Sequence, residues 1–86
     1  MDTNHTDVRK AFNRAKQFKL VRQYRGYSQT DLAKNIKGLS QSNISQFEKF
    51  GNSISEDKLI EIMNFFNWPF SFLYVRMVNI EFIKNF

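Results

Sequence analysis

Between residues 41 and 46 the chain reads Gln41, Ser42, Asn43, Ile44, Ser45, Gln46, so uncharged hydrogen-bonding side chains crowd around a single aliphatic one. Ile44 and Phe47 are three apart, the spacing of one helical face, and a helix over about 41–49 buries that pair. Gln41, Ser42, Ser45 and Gln46 then project from the opposite face. Lysine or glutamate would serve solubility and helix propensity better there. Amides and hydroxyls suit a different task, hydrogen bonding to the donors and acceptors on base edges. Glutamine can pair bidentately with adenine, serine can approach several bases, and each good pair contributes ~1–3 kcal/mol of discrimination. The plain alternative is polar surface filler.

The flanking residues supply the elements that would position such a face. Ser28 precedes Gln29, Thr30 and Asp31, so its hydroxyl can accept the free amide of Asp31, whose carboxylate sits in the positive first turn. Leu32, Ala33 and Ile36 give the resulting short helix one apolar stripe, and Gly38 is expected to end it. Ser40 repeats the capping signal ahead of helix 41–49. Upstream, Val8, Ala11, Phe12, Ala15, Phe18 and Val21 predict a helix from about Thr6 to Tyr24, with residues 1–6 flexible. Downstream, Ser55 caps a helix with Leu59, Ile62, Met63 and Phe66 inward, and Pro69 can open a fifth helix, where its missing amide does no harm. The tail 75–86 keeps both helix and strand open: Val78, Ile80 and Phe82 alternate, while Leu73, Met77 and Ile80 recur at helical spacing.

The stretch RGYSQTDLAKNIKGLSQSNISQFEK, Arg25 to Lys49, resembles the helix-turn-helix of the lambda-repressor, Cro and xenobiotic-response-element regulators, and the resemblance extends from about Phe18 to Leu73. RGYSQ, the Leu32–Ala33 pair, SQSNISQFE, SEDKLIEIMNFF and NWPFSFL agree with the family in order and spacing. The resemblance implies a compact all-α domain of five helices spanning 1–86, with the motif at 28–49. It implies a recognition helix that places Gln41, Ser42, Asn43, Ser45 and Gln46 against bases in the major groove. Gln29 would bond a phosphate and brace Gln41, with Thr30, Lys34, Lys37, Lys49, Asn52 and Ser53 as further phosphate contacts. Arg22 and Glu48 would pair and orient the reading helix. Two departures stand out: the spacer Ile36–Ser40 is one residue longer than is usual, and Phe50 stands where the family commonly has glycine. NWPFSFL is also similar to segments in regulators of phages and mobile elements that continue into a metallopeptidase-like domain, which is not expected here.

Composition agrees. Eighty-six residues with 42% hydrophobic content make one small domain rather than a disordered chain. The net charge of +5 is uneven: Arg9, Lys10, Arg14, Lys16, Lys19, Arg22 and Arg25 fall in a run without acidic residues, which suggests phosphate neutralisation by the first helix. Ten phenylalanines exceed what so small a core is expected to absorb, so Trp68, Phe70, Phe72, Tyr74, Phe82 and Phe86 are candidates for a homodimer contact, with 75–86 as a dimerisation tail. With His5 alone, no cysteine and no glycine-rich phosphate loop, neither catalysis nor a metal, cofactor or small-molecule ligand is expected. No secretory signal or membrane span is apparent, so a cytoplasmic protein is expected. The expectation is therefore a dimeric repressor on a double-stranded DNA operator. The alternative is an interaction module on the same fold, an antitoxin or inhibitor docking through the aromatic tail.

Overall fold

The computed structural model describes residues 2–74, with side chains from Phe12 onward. Four α-helices follow one another: α1 (Asp2–Tyr24), α2 (Gln29–Asn35), α3 (Gln41–Phe50) and α4 (Glu56–Phe65), and a 3-10 segment, Phe70–Tyr74, closes the described chain. No strand occurs among the described residues. Where a fifth α-helix is expected, Phe72 donates instead to the Pro69 carbonyl three residues back, the 3-10 pattern. Helix α1 begins at Asp2, earlier than the expected start at Thr6, so 2–5 are helical. Phe82, Phe86 and the remainder of 75–86 lie outside the described residues, as do the side chains of Val8, Arg9, Lys10 and Ala11.

Local sequence sets each boundary. Ser28, Ser40 and Ser55 all hold extended backbone and accept through the side chain from the amide three residues on, at Asp31, Asn43 and Lys58. Glu56 and Asp57 complement the positive end of α4. After α1, Gly26 in the left-handed region lets its own amide reach the Gln23 carbonyl and that of Tyr27 reach Arg22. Asn67 repeats the arrangement after α4, with Asn67 donating to Asn64 and Trp68 to Met63. Both are Schellman closures, and Pro69 then forbids continuation.

The long spacer resolves cleanly. Helix α2 stops at Asn35 with Ile36 extended, so Gly38 is not a helix cap. It occupies the third position of a β-turn in which Leu39 donates to the Ile36 carbonyl, with a φ of +79°. That is the type II position, which favours glycine.

The core gathers Phe18 and Val21 of α1, Leu32 and Ile36, Ile44 and Phe47 of α3, Ile54, Leu59, Ile62, Met63 and Phe66, and Leu73. Phe12 departs from the expected stripe: it is half-exposed because it stands about 120° around α1 from Phe18. Helix α1 packs on α3 and the 3-10 segment, α2 on α3, and α4 on the 3-10 segment.

Candidate nucleic-acid interface

Helix α3 has two chemically different sides. Inward, Ile44 and Phe47 are fully buried, and Phe47 meets Phe18 edge-on at 5.1 Å between centroids. Outward, Gln41, Ser42, Ser45, Gln46, Lys49 and Phe50 line one shallow open depression. The four polar residues placed on this face by helical spacing do share it.

Asn43 does not belong to that cluster. Its Oδ1 accepts from the Ser40 amide at 3.2 Å and the Ser40 hydroxyl at 2.7 Å, completing a capping box. Its amide nitrogen lies 3.5 Å from Ser53 Oγ, and that hydroxyl donates to the Asn43 carbonyl at 3.2 Å. Ser53 holds a φ of +76°, so both residues act in closing the loop after α3.

A continuous polar chain fixes the orientation of α3. Arg22 donates through Nε and Nη2 to the two oxygens of Glu48 at 2.6 and 2.9 Å and through Nη1 to the Tyr27 carbonyl at 2.6 Å. Both side chains of this ion pair are almost wholly buried. The fork geometry satisfies each carboxylate oxygen, which a buried charge pair requires. Glu48 Oε1 also accepts from Gln29 Nε2 at 3.0 Å, and Gln29 Oε1 accepts from Gln41 Nε2 at 2.7 Å. The chain thus runs from the core through α2 to the first residue of α3. Gln29 is engaged at both ends of its amide, between Glu48 and Gln41. Gln41 keeps its carbonyl oxygen and a second amide hydrogen for an outside partner.

Thr30, Lys34 and Lys37 are exposed on α2 and the turn after it, and Lys49 and Asn52 are exposed at the far end of α3. The cationic first helix does less than its charge suggested. Arg14 donates to the Gly51 carbonyl at 2.7 Å, and its guanidinium lies over Phe47. Arg22 is buried, and Arg25 donates to the Phe66 and Asn67 carbonyls while stacking on Trp68 at 4.8 Å. Lys16 and Lys19 remain on the solvent side. Arg14 was not singled out from the sequence; its placement four residues before Phe18, on the same face, was the available signal.

Three of the six aromatic candidates pack within one chain. Trp68, Phe70 and Phe72 pack against the core, and Trp68 meets Tyr24 and Phe72 edge-on at 5.4 and 5.5 Å. Tyr74 is exposed, and its hydroxyl lies 3.1 Å from a Glu56 carboxylate oxygen. Among the described residues, no helix is long and apolar enough to cross a membrane.

Two short helices joined by a tight turn, the second offering an amide-and-hydroxyl face, agree with the family comparison: the helix-turn-helix model matches residues 18–73. The chain belongs to this helix-turn-helix family, of the lambda-repressor type. No curated protein and no solved structure matched the chain. Membership makes the chain a DNA-binding transcription regulator.

Proposed function

We propose that this protein is a sequence-specific repressor of the phage or mobile-element type, which reads an operator in the major groove with α3 and works as a homodimer in the cytoplasm. The observation that carries this reading is the grouping of Gln41, Ser42, Ser45 and Gln46 on one open face, where the Arg22–Glu48–Gln29–Gln41 chain holds Gln41 from behind. A side chain fixed in this way loses little freedom on meeting a base, and fixed donors and acceptors discriminate better than mobile ones. Thr30, Lys34, Lys37, Lys49 and Asn52 are assigned to phosphates flanking the site, with Lys16 and Lys19 as further cations. Asn43 and Ser53 are assigned to the scaffold. No catalytic role is proposed.

The dimer contact is assigned to Tyr74 and the sequence beyond it, including Phe82 and Phe86, because Trp68, Phe70 and Phe72 already pack on the core of one chain. Two copies would present their α3 helices one DNA turn apart, about 34 Å.

Selection from a randomised DNA library tests this proposal. A palindromic sequence should emerge, and replacing both Gln41 and Gln46 by alanine should lower discrimination against random DNA by about 2–6 kcal/mol, the loss of two base pairs of contacts. Weak salt-sensitive binding should remain in that variant. Equal discrimination by the wild type and the double variant would remove α3 as the reader.

A further inference from the structure

Phe50 is the last residue of α3, and its side chain is 59% exposed. An isolated exposed phenylalanine is ordinary on a protein surface. What distinguishes Phe50 is its company, because it lines the same depression as Gln41, Ser42, Ser45, Gln46 and Lys49. Ser42, Gln46 and Phe50 stand four residues apart in succession, so they form one stripe that runs about 12 Å along the helix.

Nothing in the fold requires an aromatic ring there. Ile44 and Phe47 fill the inward side of α3, and Phe50 belongs neither to the core cluster nor to the partly buried hydrophobic residues around it. Gly51 ends the helix in the left-handed conformation and donates to the Phe47 carbonyl at 2.7 Å, a closure that depends on the glycine and not on its neighbour. Phenylalanine is also a mediocre helix former at an exposed position. The ring is therefore an apolar group at the end of a row of hydrogen-bonding ones.

The major groove offers one apolar feature that identifies a base, the C5-methyl of thymine, and phenylalanine is among the side chains that make apolar contact with it. We propose that Phe50 is a specificity-determining residue whose ring contacts a thymine methyl at the outer edge of each half-site, beyond the bases read by Ser42 and Gln46. This inference rests on α3 being the major-groove reader proposed above. Lys49, beside it in the same depression, would hold the adjoining phosphate.

The test uses the full-length protein and the operator obtained by library selection. Each thymine of a half-site is replaced in turn by deoxyuridine, which removes only the methyl, and binding is measured for the wild type and for Phe50→Ala. At one thymine the wild type should lose about fourfold in affinity, the effect of withdrawing one methyl-sized group from apolar contact. Phe50→Ala should bind the natural operator at least fourfold more weakly and be indifferent to deoxyuridine at that position. Phe50→Leu should keep part of the deoxyuridine penalty. A uniform loss in Phe50→Ala at every substituted site would overturn the proposal in favour of a sugar or backbone contact. A change in self-association with the deoxyuridine penalty intact would overturn it in favour of a protein interface. Selected half-sites without thymine at that edge would also overturn it. Discrimination that depends on Gln41 and Gln46 but not on Phe50 would leave the reading by α3 standing while this proposal fails; absence of any selected sequence would remove both.

Discussion

Helix α3 and the 3-10 segment both pack apolar side chains against α1, yet only α3 adds a set of short polar bonds to that junction. Short directional bonds fix α3: Arg22 to Glu48 at 2.6 and 2.9 Å, Gln29 to Glu48 at 3.0 Å, and Arg14 to the Gly51 carbonyl at 2.7 Å. The polar contacts of the 3-10 segment with α1 are longer, Gln17 to the Phe72 carbonyl at 3.3 Å and Asn13 to the Leu73 carbonyl at 3.5 Å. Its placement comes instead from buried Leu73 and from edge-on rings, Trp68 against Tyr24 and Phe72. Ring packing fills volume and tolerates rotation, whereas a forked ion pair permits essentially one arrangement. The element proposed to read bases is the one tied by bonds with direction.

The largest effect should come from breaking the directional side. Glu48→Ala leaves Arg22 charged, buried and short of both carboxylate oxygens, and the loss should be about 3–5 kcal/mol of unfolding free energy. The matched change on the aromatic side, Trp68→Phe, keeps a ring in a half-buried place and should cost less than about 1.5 kcal/mol. Urea unfolding followed by far-ultraviolet circular dichroism measures both without relying on the single tryptophan. Comparable losses for the two variants would remove the distinction between the junctions.

A smaller effect separates orientation from stability within the polar chain itself. Gln29 bridges Glu48 and Gln41 but is not fully buried, so Gln29→Ala should lower stability by about 1 kcal/mol, the typical net value of a hydrogen bond. Its effect on DNA should be proportionately greater, because Gln41 loses its inner partner and must be ordered on binding. The ratio of operator to random-DNA affinity should fall several-fold, and direct titration at fixed salt would measure it. A variant with lower stability but an undiminished ratio would make Gln29 a packing residue only.

How far the sequence disclosed this arrangement depends on the range of the interaction. The caps at Ser28, Ser40 and Ser55 were legible because each bond closes within three residues. The inward faces of α2, α3 and α4 were legible because spacing alone sorts Leu32, Ile44, Phe47, Leu59, Ile62 and Met63 from their neighbours. Arg14 and Arg25 were not, since each reaches a carbonyl far along the chain, at Gly51 and Phe66, and charge counts cannot separate such an arginine from a solvated one. Asn43 was placed among the base contacts by the family resemblance and not by helical spacing. Its partner Ser53 lies ten residues away in a left-handed conformation that composition does not announce. The aromatic surplus was visible, but its division was not: Trp68, Phe70 and Phe72 pack on the core while Phe12, Tyr24, Phe50, Phe65 and Tyr74 stay exposed, a sorting that a count against core size cannot make.

The smallest predicted effect concerns the longer turn, where a directional bond again supplements local geometry. Lys58 of α4 donates from Nζ to the Lys37 carbonyl at 2.8 Å and pairs with Glu61 at 3.0 Å, so it clips the turn between α2 and α3 to the helix behind it. Both charged groups are partly exposed, and such a pair contributes about 0–1 kcal/mol, so Lys58→Met should barely move the unfolding midpoint. The turn itself should respond more clearly, because its tie to α4 is lost and the Leu39-to-Ile36 bond, the positive φ of Gly38 and the packing of Ile36 and Leu39 on the core would then hold it. Hydrogen exchange at the Leu39 amide reads that local opening, and it should accelerate several-fold in Lys58→Met while amides within α4 stay protected. Unchanged exchange at Leu39 would mean that the β-turn sustains the extra residue alone and that the lysine merely rests on it. A faster rate would show α4 contributing to the angle between the two motif helices, and so to the aim of the proposed reading helix.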